Sequence, residues 1–294
     1  MPHQLPGNKA ERLKEHARSV NEMRILRKVG VRGMYAYLDS DLISSHNRFD
    51  TSYEATFSLA LPKGEKDLGA YIVKNMAHTV PRGGIVVVDA GGTGRRVAND
   101  VSYIGTDPKN EWALGVRRSL GVTFQDESPD LQETDLERKH TVLEGDLREE
   151  ETEDKVDDWL HGDQIDLLFE RMAGGMGTMP NEPYNLGAML DRWYGRLADG
   201  GIMFIEIPVQ LNAILATWVT MLKNDFSNFF EVGYHLGEEN GTVGKESSLI
   251  LRKLPGAPVS LPYLDSHTIR SLTQGREAQD ARTREPDREG PFKS

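Results

Sequence analysis

The chain has 294 residues, 38% of them hydrophobic, a formal net charge of -11 and no cysteine. That length buries one large core with room for an appendage, and the absence of cysteine excludes disulfides, thiolate zinc sites and cysteine nucleophiles. A long nucleic-acid groove is disfavoured as well, because it needs clustered positive charge. The charge is unevenly spread. Residues 1–48 hold nine Lys/Arg against five acids, whereas 126–170 hold eighteen acids against four bases. The acidic block reads as a solvated face that keeps the chain soluble. No apolar run reaches the roughly 18 residues of a membrane span, and the polar start "MPHQLPGNKAERLKEHARS" predicts no secretory signal, so a cytoplasmic location is expected.

In chain order, residues 1–80 read as a helical N-terminal cap. Leu13, Ala17, Val20 and then Ile25 or Leu26 fall at helical spacing, and Tyr53 to Met76 gives a second helical region, broken at "LPKGEKD". Pro81, Gly83 and Gly84 in "TVPRGG" end it. Residues 81–256 then alternate short β-rich runs with helical patterns, the mark of a parallel sheet wrapped by helices. The predicted strands are "IVVVDA" (85–90), "VSYIGTD" (101–107), "HTVLEGD" (140–146), "IDLLFERM" (165–172) and "GIMFIEIP" (201–208). Helices are expected around 110–120, 150–161 and 185–198, the last with Leu186, Met189, Leu190, Trp193 and Leu197 on one face. Another follows along Leu211, Ile214, Leu215, Trp218, Val219 and Leu222. "FFEVGYHL" and "SSLILRKL" flank "GEENGTVGKE", whose Asn240-Gly241 suits a turn, so an antiparallel pair closes the sheet. Residues 265–294, charged and poor in large apolar side chains, read as a disordered tail.

Ligands of open parallel sheets bind beyond the carboxyl ends of the strands, where glycines let the backbone approach closely. Gly91, Gly92 and Gly94 stand at that point after the first strand, beside Asp89. Asp107, at the end of the second predicted strand, is placed to accept hydrogen bonds from both hydroxyls of a ribose. Asp146, at the end of the third, suits the exocyclic amine of an adenine, with Leu147 as an apolar edge. The histidines show no metal-ligand spacing, so no metal site is predicted. A nicotinamide-binding G-x-G-x-x-G is not met, and the G-K-[ST] of a phosphate loop is missing.

At these residues a family becomes visible. The segment from Gly84 to Leu254 resembles the class I S-adenosylmethionine-dependent methyltransferases. "VVVDAGGTGR" is similar to the family's first motif, with Asp89 as its acid; the Asp89-Ala90-Gly91-Gly92-Thr93-Gly94 spacing is one residue shorter than acid-x-G-x-G-x-G. Asp107 matches the ribose acid, "GDL" the adenine side, "DLLFERMAGG" the fourth-strand motif and "RLADGGIMFIEIP" the helix, turn and fifth strand. The resemblance implies a Rossmann-like α/β fold, a mostly parallel seven-stranded sheet with an antiparallel last strand. It also implies S-adenosylmethionine as cofactor and a variable N-terminal region shaping the substrate side. Methyl transfer needs mainly alignment of acceptor and sulfonium, with a base where the acceptor must lose a proton. The candidates for that chemistry are Glu170 and Arg171 after the fourth strand, with Glu206 and His46 as lesser ones; Tyr35 and Tyr37 read as core or lid packing, with substrate stacking as the alternative. The expected acceptor is a small molecule, with a protein side chain second; oligomeric state is left open. A reading from another class is a methyltransferase fold kept as a binding or scaffold protein, which the shortened motif would explain.

Overall fold

A computed structural model of the chain describes residues 53, 56–95, 97–98, 101, 115–123, 126, 131–147, 149–170, 183–238 and 247–284, with side chains to 276. The strands are β1 (Ile85–Ala90), β2 (Val116–Thr123), β3 (His140–Glu144), β4 (Ile165–Glu170), β5 (Leu197–Ile207), β6 (Phe230–His235) and β7 (Ser247–Lys253). The helices are α1 (Leu68–Met76), α2 (Gln132–Glu137), α3 (Glu150–Leu160), α4 (Pro183–Gly195), α5 (Asn212–Asp225) and α6 (Ser266–Arg284). One sheet takes all seven strands, in the order β3-β2-β1-β4-β5-β7-β6. Pairing is parallel from β3 through β5, and β7 runs antiparallel to both β5 and β6. This is the Rossmann-like α/β sheet with an antiparallel strand inserted beside the fifth that the sequence predicts.

Every residue of β1 is buried, which is why "IVVVDA" is apolar almost throughout: both faces of a parallel sheet are covered. Val86, Val88 and Ala90 face the layer built by α3, α4 and α5, where Trp193, Leu190, Trp218 and Leu222 fill the core. Ile85 and Val87 face the opposite layer, with Tyr53, Phe57, Leu68, Tyr71, Ile72 and Met76. There Phe169 and Phe204 from neighbouring strands stack at 4.6 Å, and Phe57 meets Phe204 edge-on at 5.5 Å. Residues 53–82 therefore share their core with the sheet. Helix α1 gives way at Met76 to a 3-10 turn, Ala77–Arg82, which holds Pro81 and ends on Gly83 in the left-handed region at φ 85°.

Four expectations are corrected. The second strand is Val116–Thr123, not "VSYIGTD": Val101 is helical, and Asp107 does not end β2. The helix expected around 110–120 gives way to strand from Val116. Two arginines at the start of β2 disguise it, and each has a local reason to be there. The Arg118 guanidinium lies 4.0 Å over the Trp159 ring, and Arg117 pairs with Asp163 at 2.9 Å. Leu197 opens β5 instead of closing α4. Lastly, Ser266–Arg284 of the predicted disordered tail is helical. Asp265 caps it, accepting from the Thr268 amide at 2.8 Å, and Ile269 is only 2% exposed against the α4–α5 layer. The cap, buried Ile269 and partly buried Leu272 anchor a helix whose composition is otherwise polar. The N-terminal helix through Leu13, the Asn240-Gly241 turn and residues 285–294 lie outside the described residues.

Candidate functional site

β1 and β4 are neighbours, but the chain leaves β1 toward β2 and leaves β4 toward β5, so their carboxyl ends border the crevice where such sheets take ligands. Asp89 stands at the end of β1, Asp146 just past β3 and Glu170 at the end of β4, all buried. Register puts Ala90 opposite Glu170. Buried carboxylates are costly and persist only where partners hold them. For Asp89 one partner is the Tyr53 hydroxyl, which donates to Oδ2 at 3.1 Å. Leu147 is buried beside Asp146. Glu206, near the end of β5, lies opposite Ser248 of β7.

The glycine turn closes tightly over β2. Gly91 (φ 109°) and Gly94 (φ 69°) occupy the left-handed region. The Gly91 amide donates to the Val122 carbonyl at 2.9 Å, and the Ala98 amide to the Gly94 carbonyl at 2.9 Å, opening the next helix at Arg95. Gly94 packs on Gly121 so closely that a Cβ on Gly94 would fall 2.9 Å from the Gly121 Cα. Three glycines therefore serve two needs, two left-handed turns and one backbone-on-backbone contact.

Behind the turn lies a charged cluster that the sequence did not announce. Arg95 donates to both carboxylate oxygens of Asp126 at 2.7 Å and, through Nε, to Asp135 at 2.8 Å. Burial alone would lower the guanidinium's pKa, but the two carboxylates outweigh it and raise it. The Asp126 amide in turn donates to Glu144 at 2.8 Å. Beside them, His140 Nε2 meets the Thr93 carbonyl at 2.8 Å and Nδ1 meets the Ser119 hydroxyl at 2.9 Å. A carbonyl only accepts, so Nε2 carries the proton.

Burial pushes the His140 imidazole below its ordinary value, opposed in part by the Thr93 carbonyl and Asp135. A histidine depressed in the fold binds fewer protons than in the unfolded chain. Its stabilisation is thus complete above the unfolded value of about 6.5 and is lost as pH falls through the folded one. Urea midpoints measured between pH 7.5 and 5 should fall on acidification, and His140→Gln should flatten that fall.

The structure thus gathers Asp89, Gly91, Gly92, Gly94, Asp146, Leu147 and Glu170 at the carboxyl ends of β1, β3 and β4. Asp107, Arg171, His46, Tyr35 and Tyr37 lie outside the described residues. Sequence reasoning missed Tyr53, Arg95, Asp126 and His140, whose partners stand 18 to 47 residues away. Only the arginine directly after the glycine turn was a usable signal. Among the described residues no group of three metal-ligating side chains occurs, and no helix is long and apolar enough to cross a membrane.

No protein-family model matches the chain, and no curated protein does. Solved structures similar to it include a cofactor-bound protein from MTB, 15% identical, covering 74% of this chain and 94% of its own at a TM-score of 0.37. A second is a Listeria monocytogenes protein assigned as a class I S-adenosylmethionine-dependent methyltransferase, 18% identical, covering 71% and 67% at 0.38. A third is the O-methyltransferase TomG from Streptomyces achromogenes in complex with SAM, 11% identical, covering 75% and 95% at 0.33.

Proposed function

We propose that the chain is an S-adenosylmethionine-dependent methyltransferase acting on a small-molecule acceptor. The observation that carries this reading is the sheet itself: seven strands with antiparallel β7 between β5 and β6, and a glycine turn at the β1 end of the β1–β4 crevice. The donor set fits an adenosyl ligand at two strand ends. After β1, left-handed glycines bring backbone to the rim and a helix opens at Arg95. After β3, Asp146 and Leu147 pair a carboxylate with an apolar edge. In this reading Asp89, Gly91, Gly92 and Gly94 form the cofactor turn, and Asp146 and Leu147 face the adenine.

The cofactor, when bound, supplies an electrophilic methyl group. The chain aligns the acceptor and keeps water away, and Glu170, buried at the end of β4, takes the acceptor's proton, with Arg171 beside it. A protein side chain is the second choice of acceptor, and the acidity of the chain stands against nucleic acid.

One observation favours the binding or scaffold reading. Asp126, the acid that follows β2 in the structure, has both oxygens engaged by Arg95 and a side chain only 1% exposed, which shields it from a ribose. Calorimetry with S-adenosylmethionine and S-adenosylhomocysteine, with NADH as control, separates the readings. Micromolar binding of the sulfur ligands is expected, weakened about ten- to a hundredfold in Asp146→Ala, as loss of charged hydrogen bonds requires. No binding of either ligand to folded protein contradicts the enzyme.

A further inference from the structure

The geometry points to His140 as the positioning residue of the glycine turn: it sets the conformation of residues 91–94 through the Thr93 carbonyl, and with it the affinity for an adenosyl ligand. The second half of this statement rests on the methyltransferase reading; the first does not.

A turn with glycines at 91, 92 and 94 loses more conformational entropy on ordering than the same turn built from other residues. Its ends are fixed by the Gly91 and Ala98 amide bonds, which leave the middle to be held by something else. That something reaches across a strand. His140 is on β3, in register with Ser119 of β2, and Gly121 lies two residues along β2 on the same face. The missing side chain at Gly121 leaves the turn room to settle on β2, where the imidazole of His140 meets Thr93 at 2.8 Å.

The ring is itself oriented. The Ser119 hydroxyl stands 2.9 Å from Nδ1, and both residues are almost wholly buried, at 1% and 3% exposure. A neutral imidazole with Nε2 protonated satisfies both neighbours at once: it donates to the carbonyl and accepts from the hydroxyl. One residue past the turn, Arg95 adds a second anchor through Asp126 and Asp135, the former tied to β3 by Glu144. The turn that would cradle the ligand is therefore held from β3.

The test pairs three substitutions with two readouts. His140→Leu removes both hydrogen bonds. His140→Asn keeps an amide near Ser119 but falls short of Thr93. His140→Gln carries an amide nitrogen to where Nε2 stands. Hydrogen exchange of amides 91–98 reports the turn without any ligand, and calorimetry with S-adenosylhomocysteine reports the site. In the Leu and Asn variants turn amides should exchange at least about tenfold faster and the Kd should rise about tenfold, the worth of one buried hydrogen bond. The Gln variant should stay within about threefold of wild type on both. Wild-type exchange at 91–98 in folded His140→Leu overturns the positioning role. If wild-type protein does not bind S-adenosylhomocysteine, the methyltransferase reading fails, and exchange alone decides the role of His140.

Discussion

Gly121→Ala should unseat the glycine turn and abolish ligand binding while leaving the sheet in place. A Cβ at this position would fall 2.7 Å from the Gly94 amide nitrogen and closer still to the Thr93 carbonyl, and both obstacles are backbone. Neither can rotate away as a side chain would. Overpacking of this kind costs about 1–3 kcal/mol even where neighbours yield, and here the yielding part is the turn itself. Denaturant unfolding should show that loss, and S-adenosylhomocysteine affinity should drop more than about a hundredfold, the size of about 2.7 kcal/mol. Gly275→Ala is the control: it lies within α6 with nothing within 4 Å of a built Cβ, so it should be neutral or stabilising by about 0.5–1 kcal/mol. Equal affinity in wild type and Gly121→Ala would mean that the ligand does not depend on this turn.

Arg95→Met should be the most destabilising single change in the site, at about 3–5 kcal/mol, because it strips the guanidinium from two carboxylates that stay buried. Asp126 and Asp135 are only 5% and 6% exposed, and Arg95 supplies three hydrogen bonds to them. Methionine keeps much of the apolar stem, so the loss reports charge more than volume. Adding Asp126→Asn and Asp135→Asn to Arg95→Met should recover part of the stability, since neutral amides cost less to bury than carboxylates. A thermal scan of wild type, Arg95→Met and the triple variant checks this order. If Arg95→Met unfolds within about 1 kcal/mol of wild type, the cluster is a solvated pair and not a structural one.

How far the sequence disclosed this arrangement depended on whether the signal was local. β1, β4, β5 and β7 were legible because apolar runs bounded by glycine, proline or charge encode strands buried on both faces, and the partly buried edge strands β3 and β6 were legible from shorter β-rich runs. The apolar faces of α4 and α5 were legible from helical spacing, and their residues are buried where the pattern put them. β2 was not legible. Its arginines are excused by Trp159 and Asp163, and its glycine by a turn some 28 positions earlier, none of which a local window contains. The misplaced strand drew Asp107 with it to a strand end that the structure gives to Thr123. Within the site, Asp89, the glycines, Asp146 and Glu170 could be found because each follows its own strand. Tyr53, His140 and Arg95 act on residues far away in sequence, so their roles appear only once the sheet order brings β3, β2 and β1 together.

In the proposed function an adenosyl ligand sits over the β1 turn and the end of β3 along one rim of the sheet. The most direct test is the hydrogen-exchange footprint of saturating S-adenosylhomocysteine on the wild-type chain. Slower exchange concentrated in residues 91–98 and 144–149 is the predicted result. No change anywhere, or protection confined to other segments such as α5 and α6, would contradict it.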